Sequence, residues 1–469
     1  MKTDIGIIGM AVMGQNLALN VESKGYSVSV YNRSESRTRE FVEDRAQDRD
    51  IVPEYDLEGL VNSVARPRKI LLMIKAGSPV DKVISQLVPL LDEGDVILDG
   101  GNSNFRDTDR RIEEVNSEGI LYLGTGISGG EYGARHGPSI MPGGNEEAYE
   151  IAGPVLEDAA AQIPEGPCCT YLGPRSAGHY VKMVHNGIEY GVMEAIAESY
   201  WVMDRGMGLS TEEMSSVFSS WNQDMESYLV EITAQILEHK DKKTGEPLID
   251  QILDTAEQKG TGKWTAQNAL ELGVPVPTIT AAVDGRFISS RKEERSENSN
   301  KLDFVTETEL PGGNWLKKIR SGLELSIYSA YAQGIYLLTV ASDEYDYDLE
   351  LSEIARIWKD GCIIRSNILG EIQEGLNNEP NNPNLLFEEP FLSKVKDQME
   401  PTKELLAAGK KAGLPLPAMS SSLDYLLAFA SENLPANMIQ AQRDYFGAHT
   451  YQRRGKEGYF HTEWMEDAN

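Results

Sequence analysis

DIGIIGMAVMG, residues 4–14, reads as a buried strand that turns directly into a helix. Asp4–Ile8 is the apolar strand, and Gly9, Ala11 and Gly14 follow at the spacing Gly-x-Ala-x-x-Gly. Gly9 allows the tight turn, the small residue at 11 permits close approach of a ligand, and Gly14 lets the helix lie against the strand. The helix N-terminus then presents unpaired N–H groups and a positive dipole end, which suit a pyrophosphate. Gly9, Met10, Ala11, Val12, Met13 and Gly14 are therefore expected to cradle a dinucleotide. Taken alone, the same spacing also serves a tight turn with no ligand.

Working outward, Ser27–Tyr31, Lys69–Ile74, Val96–Asp99 and Leu121–Gly124 read as further strands. Helical stretches such as Asn16–Lys24 and Asp81–Leu91 lie between them. That alternation predicts a doubly wound parallel sheet, an α/β Rossmann-like domain over residues 1–176. Ligands of such sheets bind beyond the carboxyl ends of the strands. The second strand closes in YNRSESR, residues 31–37, without the acidic residue that holds the ribose of NAD. Asn32, Arg33 and Ser34 stand there instead, and an arginine with a hydroxyl suits a 2′-phosphate, so NADP is the expected cofactor. Three more loops follow strand candidates: Ile74-Lys75-Ala76-Gly77, Gly100-Gly101-Asn102-Ser103 and Ser128-Gly129-Gly130. Each alone could merely turn the chain; together they mark one rim, on which Ile74, Lys75, Ala76 and Asn102 are expected to meet the cofactor.

After about Ala177 helical periodicity takes over, and an all-helical domain is expected over residues 177–434. Its first helix contains KMVHNGIEY, residues 182–190. Lys182, His185, Asn186 and Glu189 fall on one helical stripe, which reads either as an exposed salt-bridged face or as a wall of ligands and acid/base groups. The flanking positions are largely apolar, so the helix is expected to be mostly buried. A buried lysine has a lowered pKa and can act as a base, and a nearby glutamate can act as the complementary acid. The helical half also echoes itself. VKMVHNGIE at 181 resembles LKKIRSGLE at 316, and GVPVPTITAAVD at 273 resembles GLPLPAMSSSLD at 413. These matched blocks point to a duplicated unit. His185 and Asn186 become Arg320 and Ser321 in the second copy, which is read as scaffold. The expected tail, 435–469, is rich in cations between Arg443 and His461.

The chain of 469 residues has room for two or three domains. Its net charge of −30 argues against nucleic acid or an anionic membrane as a partner. Such self-repulsion suggests a salt-adapted surface, whose melting temperature would rise with added salt. Cys168, Cys169 and Cys362 show no metal spacing, and no metal site is expected. Reduced thiols, no signal-like N-terminus and no long apolar run suggest a cytoplasmic protein outside any membrane.

Taken together, GMAVMGQNLALN, YNRSESR, IKAGSPVD, LDGGNSNFRDT, GISGGEYGARHGPSIMPGG, KMVHNGIEYG, QKGTGKWT and RDYFGAHTY resemble the 6-phosphogluconate dehydrogenase family in its long form, essentially from end to end. One departure is Tyr132, where the family usually has a second glutamate after Glu131. The resemblance implies oxidative decarboxylation of 6-phosphogluconate to ribulose 5-phosphate and CO₂ with NADP. It implies Lys182 as general base and Glu189 as general acid. It carries sugar-acid contacts onto Asn102, Ser128, Gly129, Gly130, His185 and Asn186, and phosphate contacts onto Tyr190, Lys259, Arg286, Arg443 and His449. It further implies a homodimer in which Arg443 and His449 of one tail complete the partner's site.

Other readings differ in testable ways. Another β-hydroxyacid dehydrogenase, such as one acting on 3-hydroxyisobutyrate, would share the first domain and the lysine but lack the duplicated unit and the tail. A UDP-sugar dehydrogenase would need a cysteine nucleophile, for which Cys362 is the superficial candidate. An NADP sensor would tolerate loss of Lys182 or Glu189.

Overall fold

Alternate residues of each strand face opposite ways, and here both sides are apolar. Ile5, Ile7, Leu71 and Leu98 enter one core, while Ile8, Ile70, Leu72 and Ile97 enter another. A sheet of that kind must be covered on both faces. The computed structural model describes residues 2–258, 260–299, 301, 309–378 and 384–464.

The first part runs β1 (Ile5–Ile8), α1 (Val12–Ser23), β2 (Val28–Tyr31), α2 (Glu35–Arg45), β3 (Ile51–Glu54), α3 (Leu57–Ser63), β4 (Lys69–Leu72), α4 (Ser78–Leu87), β5 (Val96–Asp99), α5 (Phe105–Asn116), β6 (Leu121–Ser128), α6 (Gly130–His136), β7 (Ser139–Gly144) and α7 (Glu146–Ala159). The strands form one sheet in the order β3-β2-β1-β4-β5-β6-β7. The first six strands are parallel, and β7 returns antiparallel to β6, with Ser128 opposite Ser139. All five expected strands are present, in the expected doubly wound arrangement. The two edge strands, β3 and β7, were not anticipated. Each contains proline, Pro53 and Pro142, which lacks an N–H for the ladder and is tolerated at an edge. A short ladder, β8 (Gln162–Ile163) with β9 (Gly166–Pro167), leads to the helical part.

That part comprises α8 (Ala177–Trp201), α9 (Thr211–Met225), α10 (Tyr228–Glu238), α11 (Thr261–Glu271), α12 (Pro277–Ser289), α13 (Lys292–Ser299), α14 (Trp315–Tyr345), α15 (Leu351–Ile357), α16 (Ile368–Asn378), α17 (Phe391–Lys411) and α18 (Pro417–Phe429). The sequence echo falls on matching helix crossings. Gly187 of α8 lies against Thr265 of α11, and Gly322 of α14 lies against Leu405 of α17. The turns repeat as well: Val274 N–H donates to the Ala269 carbonyl and Leu414 N–H to the Gly409 carbonyl, both at 2.8 Å. Proline then opens both following helices, its fixed φ suiting the first turn.

The chain divides into two compact units between Ser422 and Leu423. The second unit holds α19 (Ala436–Gly447) and the hairpin β10 (Tyr451–Arg453) with β11 (Lys456–Phe460). Its centre is the buried Asp444, whose carboxylate accepts from Thr450 N–H, Thr462 N–H, His461 and Trp464. Among the described residues no helix is long and apolar enough to cross a membrane.

Candidate active site

The polar stripe of α8 is held against β6 by missing side chains. Positions 124, 126 and 128 share one face of β6, and 179, 182 and 185 share one stripe of α8. A Cβ on Gly124 would stand 2.8 Å from His179 Nδ1, and one on Gly126 would overlap the stem of Lys182. Ser128 Oγ reaches His185 Nε2 at 3.1 Å. From the helix side, a Cβ on Gly178 would overlap the carbonyl oxygens of Gly124 and Met141. Gly143 on β7 is closed in by Gly178 in the same way. Four glycines thus bring helix backbone onto sheet backbone and leave Lys182 beside the carboxyl end of β6.

Along the stripe, Lys182 Nζ donates to Asn186 Oδ1 at 2.7 Å and lies 3.4 Å from His185 Nδ1. His185 Nδ1 is 3.0 Å from Asn186 Oδ1 and 3.9 Å from Glu189 Oε2. Asn186 is oriented in turn by Thr261, whose hydroxyl accepts from Asn186 Nδ2 at 3.0 Å. Burial lowers the Lys182 pKa despite the attraction of Glu189. Burial raises the Glu189 pKa against the pull of Lys182 and Arg286. His185 is pushed well down, first by burial and then by Lys182, and is neutral. Burial thus moves the amine toward the form a base needs and the carboxyl group toward the form an acid needs.

The other expected residues gather on the rim. Gly9 has φ +108°, and Gly14 packs so closely that a Cβ would overlap the Gly9 carbonyl. Met10 is buried and its N–H donates to Asn32 Oδ1 at 3.2 Å, tying the first loop to the end of β2. Ala11, the exposed N-cap of α1, has no side-chain acceptor of its own, and Val12 is exposed with Met13 half-buried behind it. Arg33 and Ser34 are exposed, and Ser34 makes no side-chain capping bond to α2. Uncapped N–H groups at α1 and an exposed cation with a hydroxyl beyond β2 fit the pyrophosphate and 2′-phosphate of NADP. Ile74 and Ala76 are half-buried, and Lys75 and Asn102 are exposed on the next two loops. Gly129 and Gly130 take positive φ, and Gly129 is packed against the Gly361 carbonyl. Among the described residues no group of His, Cys, Asp or Glu comes together as a metal site.

Comparison with known proteins fits this geometry. Residues 4–173 match the NAD binding domain of 6-phosphogluconate dehydrogenase, and residues 178–464 match the 6-phosphogluconate dehydrogenase C-terminal domain. The chain is 50% identical to the NADP(+)-dependent, decarboxylating 6-phosphogluconate dehydrogenase of Bacillus subtilis, covering 99% of this chain and 100% of that protein. This chain belongs to the 6-phosphogluconate dehydrogenase family. A Synechocystis decarboxylating 6-phosphogluconate dehydrogenase is also 50% identical, over 99% of this chain and 98% of its own length. The Plasmodium falciparum 6-phosphogluconate dehydrogenase, solved apo, with its cofactor NADP+ and with its substrate 6-phosphogluconate, superposes with a TM-score of 0.93 at 43% identity, covering 98% of this chain and all of that one.

The remaining positions implied by the family fall in three places. Tyr190 is buried on α8, and the Arg286 guanidinium of α12 stacks 3.4 Å from its ring centroid. Lys259 lies outside the described residues. Arg443 and His449 are exposed on the second unit. Thr261, which holds Asn186, was not singled out in the sequence; its one signal there is its place after the glycine of QKGTG. Cys362, the rival nucleophile, is buried with its thiol pKa raised by burial. A thiolate is the reactive form, so this environment opposes that reading.

Proposed function

We propose that this chain converts 6-phospho-D-gluconate to D-ribulose 5-phosphate and CO₂ while NADP is reduced to NADPH. The observation that carries the reading is the sheltered stripe in which burial shifts Lys182 toward its neutral form and Glu189 toward its protonated form, with Lys182, His185, Asn186 and Glu189 side by side. Bound NADP would supply the hydride acceptor, held by residues 9–14, by Asn32, Arg33 and Ser34, by the 74–76 loop and by Asn102. Lys182 takes the proton of the 3-hydroxyl as hydride leaves carbon 3. The resulting 3-keto acid has its carboxylate β to a carbonyl, so CO₂ departs with its bonding electrons left on an enediolate. Protonated Lys182 stabilises that oxygen. Glu189 then delivers a proton to carbon 1 and forms the ketone.

Asn102, Ser128, Gly129, Gly130, His185 and Asn186 orient the sugar acid, and Tyr190, Lys259 and Arg286 take its phosphate. Residues 1–176 serve as the dinucleotide domain, 177–434 as the substrate and dimer domain, and 435–469 as a tail reaching a second copy. Large exposed apolar side chains support a homodimer: Ile252, Leu253, Leu270 and Ile288 on the first unit, and Met438, Ile439 and Phe446 on the second. The test is to mix the protein with 6-phosphogluconate and NADP and follow NADPH absorbance together with CO₂ release. The two should rise in equal amounts; NADPH without CO₂ would point to a simple hydroxyacid dehydrogenase.

A further inference from the structure

Below the rim, Asp99 at the end of β5 is fully buried and collects four donors. Its carboxylate accepts from Ser103 Oγ at 2.6 Å, Tyr122 OH at 3.0 Å, Gly101 N–H at 3.1 Å and Arg111 Nη1 at 3.3 Å. Arg111 of α5 is equally buried. Its Nε donates to Asp81 at 2.8 Å in the first turn of α4, and Nη2 donates to the Gly77 carbonyl at 3.1 Å. Nη1 also donates to Ser103 Oγ at 3.1 Å. One planar guanidinium therefore ties the end of the 74–77 loop to the 100–103 loop. These are two of the loops assigned above to cofactor and sugar acid.

A second tie leaves the same residue. The Asp99 main-chain carbonyl lies 3.0 Å from His179 Nε2. A carbonyl only accepts, so Nε2 carries the proton and Nδ1 accepts from the Thr108 hydroxyl at 2.7 Å. Burial lowers the His179 pKa, consistent with this neutral tautomer. His179 stands one helical turn before Lys182 on α8, and Gly124 leaves it space. Replacing a buried ionic network by apolar packing is often neutral or stabilising, so net stability alone does not account for this one.

We propose that Arg111 and His179 are positioning residues for hydride transfer: Arg111 fixes the two rim loops relative to each other, and His179 fixes the turn of α8 that aims Lys182 at them. The proposal rests on the function given above; neither side chain is assigned any contact with substrate or cofactor.

The test uses Arg111→Lys, His179→Leu and His179→Gln in the full-length protein. Lysine keeps the charge but loses the fork, leucine removes the donor to Asp99, and glutamine restores a donor. Steady-state rates are measured with 6-phosphogluconate and with its 3-deuterio form, alongside circular dichroism and melting curves. In Arg111→Lys and His179→Leu, kcat should fall roughly 10- to 100-fold, with the KM for the sugar acid changed less than about threefold. The deuterium effect on kcat should grow, and His179→Gln should recover most of the lost rate. A purely structural role would lower the melting temperature but leave kcat and the deuterium effect of the folded variants unchanged, and that overturns the proposal. Should Arg111→Lys fail to fold, the two His179 variants decide the matter. A wild type that makes no NADPH from 6-phosphogluconate would bring down the functional reading and this proposal together. A working wild type with unaffected variants would bring down this proposal alone.

Discussion

Lys182 and Glu189 depart from their ordinary pKa values in opposite directions for one reason: burial disfavours the charged form of each. The proposed mechanism needs Lys182 without its proton and Glu189 with one. Rate should therefore rise with pH as Lys182 deprotonates below the usual lysine range. It should fall again as Glu189 deprotonates above the usual carboxylate range. Glu189→Gln should lower kcat by roughly 10²- to 10⁴-fold and remove the alkaline limb from the pH profile of the remaining activity. A limb that persists would assign it to another group. The pair was legible in the sequence because the positions around the polar stripe are largely apolar, which favours a buried helix over an exposed salt-bridged face. The grip of Thr261 on Asn186 was not legible, because it joins residues 75 positions apart through a helix crossing.

Between elements, the fit of α8 on β6 and β7 depends on what Gly124, Gly126, Gly143 and Gly178 lack. Gly126→Ala places a methyl group in the stem of Lys182. Overpacking of this kind costs about 1–3 kcal/mol, and the displaced amine should lower kcat by roughly 100-fold. Gly370 in α16 has nothing within 4 Å of the point where an added methyl group would stand, so Gly370→Ala is the control and should hold or raise the melting temperature with activity intact. The sequence echo allows a second test. Gln333 of α14 accepts from Thr278 N–H at 3.0 Å and donates to Thr278 Oγ1 at 2.9 Å. At the matching place, Glu198 of α8 accepts from Ala418 N–H at 2.6 Å and Met419 N–H at 2.9 Å. Burial pushes the Glu198 pKa up to about 8, against those two N–H groups. A carboxyl group raised in the folded state adds stability that is complete below its ordinary value and is lost as pH rises through about 8. Glu198→Gln should remove that pH dependence but leave an amide facing N–H donors, costing about 1–3 kcal/mol. Adding Ala418→Thr supplies the hydroxyl found in the other copy and should restore part of the loss in a double-mutant cycle. The echo itself was visible in sequence, as were five strands. Strands β3 and β7 were hidden because Pro53, Pro142 and paired glycines carry turn chemistry, and only their edge positions make them strands.

At the scale of the whole chain, a protein of net charge −30 is proposed to bind two anionic ligands, a sugar acid phosphate and a dinucleotide. Cations must then be concentrated where they are needed, and the second unit offers Arg443, Arg453, Arg454 and Lys456, all exposed. Its fold around Asp444 gives these residues a defined frame of their own. If that unit completes the site of a second copy, the lesion in the tail and the lesion in the stripe act on different sites. Lys182→Ala and Arg443→Ala should each be nearly inactive alone. In a mixed dimer, one site combines both lesions and the other has neither. Statistical re-assortment makes half the dimers mixed, so co-refolded or co-expressed variants should recover about a quarter of wild-type activity, as closed two-fold symmetry requires. If each tail served its own subunit, every site would carry one lesion and mixing would recover nothing. Activity measured against mixing ratio distinguishes the two, with recovery greatest at equal amounts of the two variants.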